Sequence, residues 1–173
     1  MVIRDESAWY WLGSCNPALD NKGDGIKRIA TIVKSLVSVD FFTVPTIRFQ
    51  VLYVFVVLAH ERRRILHFGV TACPTAEWTA QQLREAFPWE TAPRYLLRDR
   101  DQIFGADFVK QVKAMGIKQV LGAPRTPWQR AYVERVIGTL RRECLDHVIV
   151  FHEADLSRTC EDSRTTIIGV ART

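Results

Sequence analysis

The longest apolar run of the chain covers nine residues, from Val51 to Ala59. A membrane-spanning helix needs about 20 apolar residues, so this run predicts a β-strand that is covered on both faces. The N-terminus is polar by its fourth residue and shows no signal peptide. The four cysteines form no Cys-x-x-Cys pair. We therefore expect a soluble chain of the reducing cytoplasm with no membrane partner.

Flanking segments predict that this strand belongs to an antiparallel meander. Residues Leu36–Val44 are rich in β-branched and aromatic side chains and stop at Pro45, which cannot donate to a sheet ladder. The second strand is predicted over Phe49–Leu58. A third strand is predicted at Ile65–Val70, after a charged turn. Because the links are short, we expect neighbouring strands to run in opposite directions.

After the meander the pattern changes to an alternation of helices and strands. Apolar residues spaced by three and four positions predict helices over residues 75–87 and 104–115, the second with Gly116 as its C-terminal cap. Short strands are predicted at Arg94–Leu97 and Ile117–Leu121.

A third helix is predicted from a strong start signal. Thr126 can be its N-cap, Pro127 suits the first helical position, and Gln129 completes a capping box. An apolar stripe at helical spacing follows from Val133 to Val148. The order β-β-β-α-β-α-β-α predicts an α/β fold, a mixed five-stranded sheet with helices packed on it. Residues 152–173 show no pattern that predicts an element.

Three carboxylates occupy unusual positions. Asp40 interrupts the apolar first strand, Asp99 directly follows the fourth strand, and Glu134 adjoins the apolar stripe of the last helix. Singly, each has an ordinary explanation, such as a turn or edge residue, or for Glu134 an ion pair with Arg130 or Arg141. Together they can converge at one edge of the sheet. Carboxylates that converge without Cys or His favour Mg²⁺ or Mn²⁺, which prefer oxygen ligands.

Cysteine and histidine residues offer a weaker alternative. A zinc set can be written from Cys144, His147, His152 and Cys160. Cys144 lies on the predicted apolar stripe and the surroundings of Cys160 have no pattern, so we disfavour zinc. His60 and His67 are interpreted as strand-end residues rather than catalytic bases, although His60 can adjoin the carboxylates through its strand.

The carboxylates lie in three sequence blocks. These are Ser-Val-Asp-Phe-Phe-Thr at 38–43, Leu-Arg-Asp-Arg-Asp at 97–101 followed by Phe104-Gly105 and Phe108, and Pro-Trp-Gln-Arg-Ala-Tyr-Val-Glu-Arg at 127–135. In this order the blocks resemble the signature of the integrase catalytic core, the Asp-Asp-Glu family of retroviral integrases and bacterial insertion-sequence transposases. The resemblance runs from about residue 33 to about residue 150. The 34 residues between Asp99 and Glu134 are close to the family's usual separation.

The resemblance implies a ribonuclease H-like fold and polynucleotidyl transfer that depends on Mg²⁺ or Mn²⁺. Asp40, Asp99 and Glu134 would be the catalytic metal ligands, with Asp40 bridging two ions and the others holding one each. Asp101 competes for the second position, but Asp99 aligns with the family's Asp and Asp101 replaces its Gly. Arg130 departs from the pattern, because relatives often carry Asn there.

Basic residues are concentrated in one segment. Residues 94–142 hold eleven Arg or Lys against four acidic residues, whereas the whole chain has a net charge of +5. Solvated helix faces explain such a distribution equally well, but beside three candidate metal ligands it predicts phosphate contacts with DNA. Trp128 can stack on a base or pack in the core. The candidate DNA-binding residues are Arg98, Arg100, Arg125, Arg130, Arg135 and Arg141.

The partners implied by the resemblance are DNA, as element ends and target, and further copies of the chain. The chain would be associated with the nucleoid when it binds DNA. Two alternatives remain open: a non-catalytic transposase remnant that binds DNA or a full-length transposase, and a nuclease of the same fold that cuts without joining. We divide the chain into an irregular lead-in at 1–32, an integrase catalytic core at 33–150 and a divergent or truncated tail at 151–173.

Overall fold

The structure is a computed structural model that describes residues 31–32, 34–61, 64–88, 91–121 and 131–170, except for the side chains of 131–132, 143–144 and 163–170. This part of the chain forms five strands and four α-helices, and a turn of π-helix at Arg141–Leu145 extends the third helix. The elements are β1 (Leu36–Pro45), β2 (Val51–Ala59), β3 (Arg64–Thr71), α1 (Ala76–Ala86), β4 (Tyr95–Arg98), α2 (Ala106–Ala114), β5 (Lys118–Leu121), α3 (Ala131–Leu140) and α4 (Glu153–Val170).

The strands form one mixed sheet in the order β3-β2-β1-β4-β5. The first three strands pair antiparallel, whereas β4 pairs parallel with β1 and β5 pairs parallel with β4. The predicted mixed five-stranded sheet and its helices are therefore confirmed, and β1 is the central strand at which antiparallel pairing changes to parallel pairing.

Strand β2 is buried on both faces, as its apolar sequence predicts. Every side chain from Val54 to Leu58 is inaccessible to solvent. Each such side chain contributes roughly 1.5–3 kcal/mol relative to an exposed position. Even-numbered residues of β2 pack with one apolar cluster and odd-numbered residues with the other, because side chains alternate along a strand.

One face of the sheet, here called the α1/α2 face, packs against those two helices. Val39 of β1 and Phe55 of β2 meet Leu83 of α1 and Phe108 of α2 in one cluster. Helix α1 starts at the side-chain cap of Thr75, whose Oγ1 accepts from the Trp78 amide. Both helices lie within the ranges predicted from apolar spacing.

Helix α2 ends as the sequence predicts, at a glycine with a left-handed backbone. Gly116 has φ of +70°, and its amide donates to the Lys113 carbonyl at 3.0 Å. The next amide, of Ile117, donates to the Val112 carbonyl at 3.1 Å. These two bonds form a Schellman motif, which turns the chain directly into β5.

The other face, here called the α3/α4 face, carries Phe42 and Val44 of β1 and packs against α3 and α4. Val133 and Leu140 of α3 are buried there. The predicted stripe does not continue to Val148, which is exposed.

The end of the stripe is explained by the π-helical turn that follows α3. The Asp146 amide donates to the carbonyl of Arg141, five residues earlier. A π-turn adds about one residue to a helical turn and so rotates the following side chains. Leu145, five residues after Leu140, is therefore the next residue to enter the core.

Helix α4 was not predicted, and it packs on the same core as the strands. Leu156 and Cys160 are buried in the α3/α4 cluster, and the Ala72 amide donates to Glu153 Oε1 at 2.7 Å. The spacing of four between Leu156 and Cys160 was the available signal, but two residues are too few to establish a period. The predicted division at residue 150 thus falls just before a helix that shares the core.

An exposed apolar patch lies where the β1–β2 turn meets the segment before α4. Phe49, with φ of +60°, is 96% exposed at the tip of the turn. The Ile47 amide donates to the Val150 carbonyl at 3.1 Å and joins the two segments. We call this patch the turn patch; it consists of Ile47, Phe49, Val51, Val148, Ile149 and Phe151.

No helix in the described ranges is long and apolar enough to cross a membrane.

Candidate functional site

Asp40 is a buried carboxylate in the middle of the central strand. It is 6% exposed, and its Oδ1 accepts a hydrogen bond from the Phe41 amide at 2.9 Å. Its neighbour two residues on, Phe42, packs on the α3/α4 face, so alternation places Asp40 on that face as well. Burying a carboxylate there is costly without a cation or further hydrogen bonds.

Asp99 directly follows the strand that neighbours β1. Ser38 and Leu97 are the last partners in the parallel ladder of β1 and β4, and the two aspartates each lie two residues further along. Leu96 packs on the α1/α2 face, so Leu97 falls on the α3/α4 face with Asp40, and continued alternation predicts the same face for Asp99. The register therefore predicts that the first two site residues lie at one level of the sheet.

Asp101, the alternative second residue, has a different environment. It is exposed, its Oδ1 accepts from the Ile103 amide at 3.2 Å, and its carbonyl accepts from the Phe104 amide at 3.2 Å. These are the contacts of a turn residue that leads into α2. Asp99 is half-buried instead, so the two aspartates have different surroundings.

Glu134 lies in the first turn of α3, next to the buried Val133, and is itself exposed. Within the described ranges it has no ion-pair partner. Arg141, one of its two predicted partners, lies with its guanidinium carbon 5.6 Å from the ring centroid of Phe42 and donates to the Thr43 carbonyl at 3.2 Å. The other, Arg130, is outside the described residues.

The three carboxylates do not form a preformed metal centre. In the described part of the chain, no group of three or more His, Cys, Asp or Glu side chains is arranged to hold a metal ion. Asp40 and Asp99 nevertheless fit a hard divalent cation, because they present oxygen ligands on one face of the sheet. Glu134 is connected to the aspartates through the packing of α3 on β1: its neighbour Val133 lies in one cluster with Phe42.

A half-buried histidine lies beside this face, and the sequence did not predict its contact. His60 Nε2 is 2.5 Å from the hydroxyl oxygen of Ser38, and Ser38 is two residues before Asp40. Burial lowers the pKa of His60 to about 4. His60 is therefore a neutral group at pH 7 that anchors the end of β2 to β1. The sequence indicated only that His60 can adjoin the carboxylates through its strand; it gave no sign of the contact with Ser38.

The other candidates for zinc or general-base chemistry have structural contacts. His67 Nε2 is 2.9 Å from Gln82 Oε1, His152 Nδ1 is 3.0 Å from Asp155 Oδ2, and Cys160 is buried in the core. The side chain of Cys144 lies outside the described residues.

The candidate DNA-binding arginines have different surroundings. Arg100, Arg135 and Arg141 are exposed. Arg98 is half-buried on the α1/α2 face, where its guanidinium contacts Phe104 and Phe108. That face is opposite Asp40 and Asp99, so Arg98 is poorly placed to contact DNA bound at the carboxylates. Arg125, together with Thr126, Pro127, Trp128, Gln129 and Arg130, lies outside the described residues.

Comparison with protein families gives one match. Residues 115–166 match the family described as the integrase core domain. The matched segment includes β5, α3 and most of α4, and it extends past residue 150. No curated protein matches the sequence significantly.

Solved structures that share the fold include catalytic cores of retroviral integrases. The chain superposes on a protein of the simian T-cell lymphotropic virus intasome with a TM-score of 0.60 and 14% identity, over 73% of this chain and 46% of that one. The HTLV-2 integrase catalytic core, solved with magnesium, gives 0.53 and 14%, and the BIV integrase catalytic core gives 0.50 and 20%. Each of these two matches covers 63% of this chain and 68% of the other. The chain thus spans just under half of the intasome protein.

The fold is therefore the ribonuclease H-like fold of an integrase catalytic core. The resemblance predicted from the three sequence blocks is confirmed by the family match and by these structures.

Proposed function

We propose that the chain acts on DNA in integration or transposition, by metal-dependent cleavage and joining of phosphodiester bonds. The observation that carries this proposal is the pairing of Asp40 with Asp99. Asp40 is buried within the central strand, and Asp99 directly follows β4, which pairs parallel with it. Two carboxylates on neighbouring parallel segments, in the fold of an integrase core, would form half of a site for divalent metal ions.

Asp40 and Asp99 would hold Mg²⁺ or Mn²⁺ first, and Glu134 would complete the site. Bound metal ions would activate a water molecule or a DNA 3′-hydroxyl for attack on phosphorus and stabilise the leaving oxygen. Glu134 lies in the first turn of α3, whose buried residue Val133 packs in the same cluster as Phe42 of β1. The HTLV-2 integrase core solved with magnesium supports the choice of ion.

Exposed arginines beside these carboxylates would bind the DNA backbone. Arg100 follows Asp99 directly, Arg135 follows Glu134, and Arg141 covers Phe42 of the central strand. Phosphate contacts of this kind position DNA without reading its sequence. The proposed partners are accordingly the element ends and target DNA, bound mainly through charge.

Self-association is supported by the turn patch. Large contiguous apolar patches are rare on the surfaces of soluble monomers, and Phe49 and Ile149 are 96% and 66% exposed. The HTLV-2 integrase core was solved in trimeric and dimeric forms. We therefore propose that a second copy of this chain covers the turn patch.

One observation favours the non-catalytic alternative: Glu134 is exposed to solvent, and within the described residues it does not join Asp40 and Asp99 in a group that could hold a metal ion. A remnant of this kind would bind DNA or a full-length transposase and would perform no chemistry. A metal-dependent nuclease of the same fold is a third possibility, and it would cut DNA without joining it.

The test is Mg²⁺-dependent nicking and strand transfer on a labelled duplex, with DNA binding measured in parallel. Asp40→Asn keeps the side-chain shape and removes the charge, so it should abolish both products and retain binding. Asp101→Asn is the matched control, because asparagine can still accept from the Ile103 amide, and it should remain active. Binding without any nicking by the wild type would favour the remnant. Nicking without joining would favour the nuclease, and equal nicking by Asp40→Asn would overturn the site.

A further inference from the structure

Arg98 immediately precedes Asp99, and its side chain lies on the opposite face of the sheet. Its guanidinium carbon is 5.4 Å from the ring centroid of Phe104 and 6.0 Å from that of Phe108. Both rings belong to the buried α1/α2 cluster, and they are 4.9 Å apart. An arginine held over two aromatic rings has a defined position, because cation–π contacts favour one placement of the planar group.

Two hydrogen bonds fix the same guanidinium. Its Nε donates to Gln119 Oε1 on β5 at 2.9 Å, and its Nη1 donates to the main-chain carbonyl of Asp99 at 2.9 Å. One side chain thus connects the end of β4, the neighbouring strand and the peptide group of Asp99. Hydrogen bonds from a charged donor are stronger than those between neutral groups.

The surroundings of Arg98 show that these bonds matter to the local structure. Burial lowers the pKa of Arg98, and the charge of Asp99 raises it. A guanidinium remains charged in proteins, so its partial burial must be compensated by hydrogen bonds and ring contacts. Gln119 and the Asp99 carbonyl provide the hydrogen bonds.

The Asp99 carboxylate depends on the main chain that Arg98 holds. Its Oδ1 accepts from the Arg100 amide at 2.5 Å, so the direction of the carboxylate follows the peptide orientation at residues 99–100. β4 ends at Arg98, and beyond it the sheet ladder no longer holds the chain. The hydrogen bond from Arg98 Nη1 to the Asp99 carbonyl therefore holds the main chain just beyond the end of the ladder.

We propose that Arg98 is a positioning residue for Asp99: it holds the Asp99 peptide from the far side of the sheet and so orients the carboxylate on the α3/α4 face. This replaces the role of DNA contact that its basic segment predicts. The proposal rests on the proposed function only in taking Asp99 as a metal ligand. The effect of Arg98 on the Asp99 peptide can be tested without any measurement of catalysis.

The test is amide hydrogen exchange in the full chain, with the Arg100 amide as the reporter of the Asp99 carboxylate. In Arg98→Met, the Arg100 amide should exchange about tenfold faster, because the bond that holds the peptide is lost. The Ile117 amide, at the end of α2, reports stability of the same face and should change much less. Arg84→Met is the matched control. Arg84 also joins two elements on this face, through Gln111 at 2.7 Å, but it does not contact Asp99.

Two further variants keep the test decisive. Arg98→Lys retains the charge but not the planar fork, so it should also fail to protect the Arg100 amide. Gln119→Leu removes one partner of the guanidinium and leaves the charge in place; it should give a smaller acceleration and decides the question if Arg98→Met does not fold. Unchanged exchange at Arg100, or equal acceleration at Arg100 and Ile117, would overturn the proposal.

DNA binding and nicking then separate this proposal from the proposed function. Arg98→Met should keep the salt dependence of DNA binding, whereas loss of a phosphate contact would lower the slope by about one. It should also require about tenfold more Mg²⁺ for half-maximal nicking, as for loss of a group that orients a metal ligand. A wild type that never nicks DNA refutes the proposed function and leaves the exchange result standing. A lowered salt slope with unchanged Arg100 exchange would instead assign Arg98 to DNA.

Discussion

The hydroxyl oxygen of Ser38 lies 2.5 Å from His60 Nε2, and this contact ties the end of β2 to the strand that carries Asp40. Ser38 is 1% exposed, so the imidazole is bonded to a group that water does not reach. Protonation of His60 would place a charge in this environment, which burial disfavours.

The lowered pKa of His60 makes the free energy of unfolding depend on pH. Burial lowers the pKa of His60 from 6.5 to about 4, so above pH 6.5 the residue is neutral in both the folded and the unfolded chain. As the pH falls from 6.5 to 4, only the unfolded chain takes up the proton, and the free energy of unfolding should fall by up to about 3 kcal/mol. Urea unfolding at pH 7 and pH 4.5 measures this loss. His60→Gln should remove most of it, and His147→Gln, at an exposed position, is the control.

Glu134→Gln tests whether the exposed glutamate completes a metal site. The change keeps the shape of the side chain and removes one negative charge. If Glu134 is a ligand, Mg²⁺-dependent nicking should fall by more than about 100-fold, since even residues that only orient ligands cost 10–100-fold. DNA binding should be retained or slightly strengthened, because repulsion of phosphate is reduced.

Glu77→Gln is a matched control for that experiment. Glu77 is exposed in the first turn of α1, as Glu134 is in the first turn of α3, but it lies on the other face of the sheet. Neither change should alter the free energy of unfolding by more than about 0.5 kcal/mol. Equal nicking by wild type and Glu134→Gln would remove Glu134 from the site.

DNA binding should be weak and strongly dependent on salt. Arg100→Gln and Arg135→Gln should each lower the slope of log K against log salt by about one, because each removes a phosphate contact. Arg84→Gln, on the α1/α2 face, should leave the slope unchanged. Fluorescence anisotropy with unrelated duplexes at several salt concentrations measures these slopes. Tight binding to one DNA sequence at physiological salt would show that part of the chain recognises specific bases.

Gly69 is expected to be intolerant of any side chain. A Cβ added there would overlap Gln82 Oε1 and lie 2.9 Å from Trp78 Cη2, and Gln82 is itself buried and bonded to His67. Gly69→Ala should therefore destabilise the fold by about 1–3 kcal/mol. A Cβ added at Gly138 in α3 meets nothing within 4 Å, so Gly138→Ala should stabilise by about 0.5–1 kcal/mol. Urea unfolding compares the two, and an equal effect of both would contradict the close approach at Gly69.

Self-association should depend on the turn patch. Phe49→Ser and Ile149→Ser each remove an exposed apolar side chain and should weaken self-association by about tenfold, as for central residues of an interface. Val109→Ser is the control, because Val109 is a singly exposed apolar residue of α2. Sedimentation velocity over a range of concentrations measures the effect. A wild type that stays monomeric, or variants that associate like it, would exclude this patch as the contact between copies.

Sequence patterns alone predicted all five strands and the helices α1 to α3, but not α4. Strands β1 to β3 follow from β-branched and aromatic runs with short links, and α1 and α2 follow from apolar residues repeated at three and four positions. These signals are local, because each reflects which side of one strand or helix is buried. The three blocks around Asp40, Asp99 and Glu134 also identified the fold, since their order and spacing are visible without structure.

Features that depend on contacts between distant residues became visible only in the folded chain. The positive charge of Arg98 predicted DNA, but alternation at the end of β4 places it on the face opposite the carboxylates, over Phe104 and Phe108. Likewise, among the described side chains of α4, Leu156 and Cys160 pack in the cluster with the sheet, and two residues are too few for a pattern. The level predicted for Asp40 and Asp99 follows from the parallel register of β1 and β4, and the position of Glu134 follows from helix packing. Neither is encoded in any one segment, because register and packing are set by segments far apart in the chain.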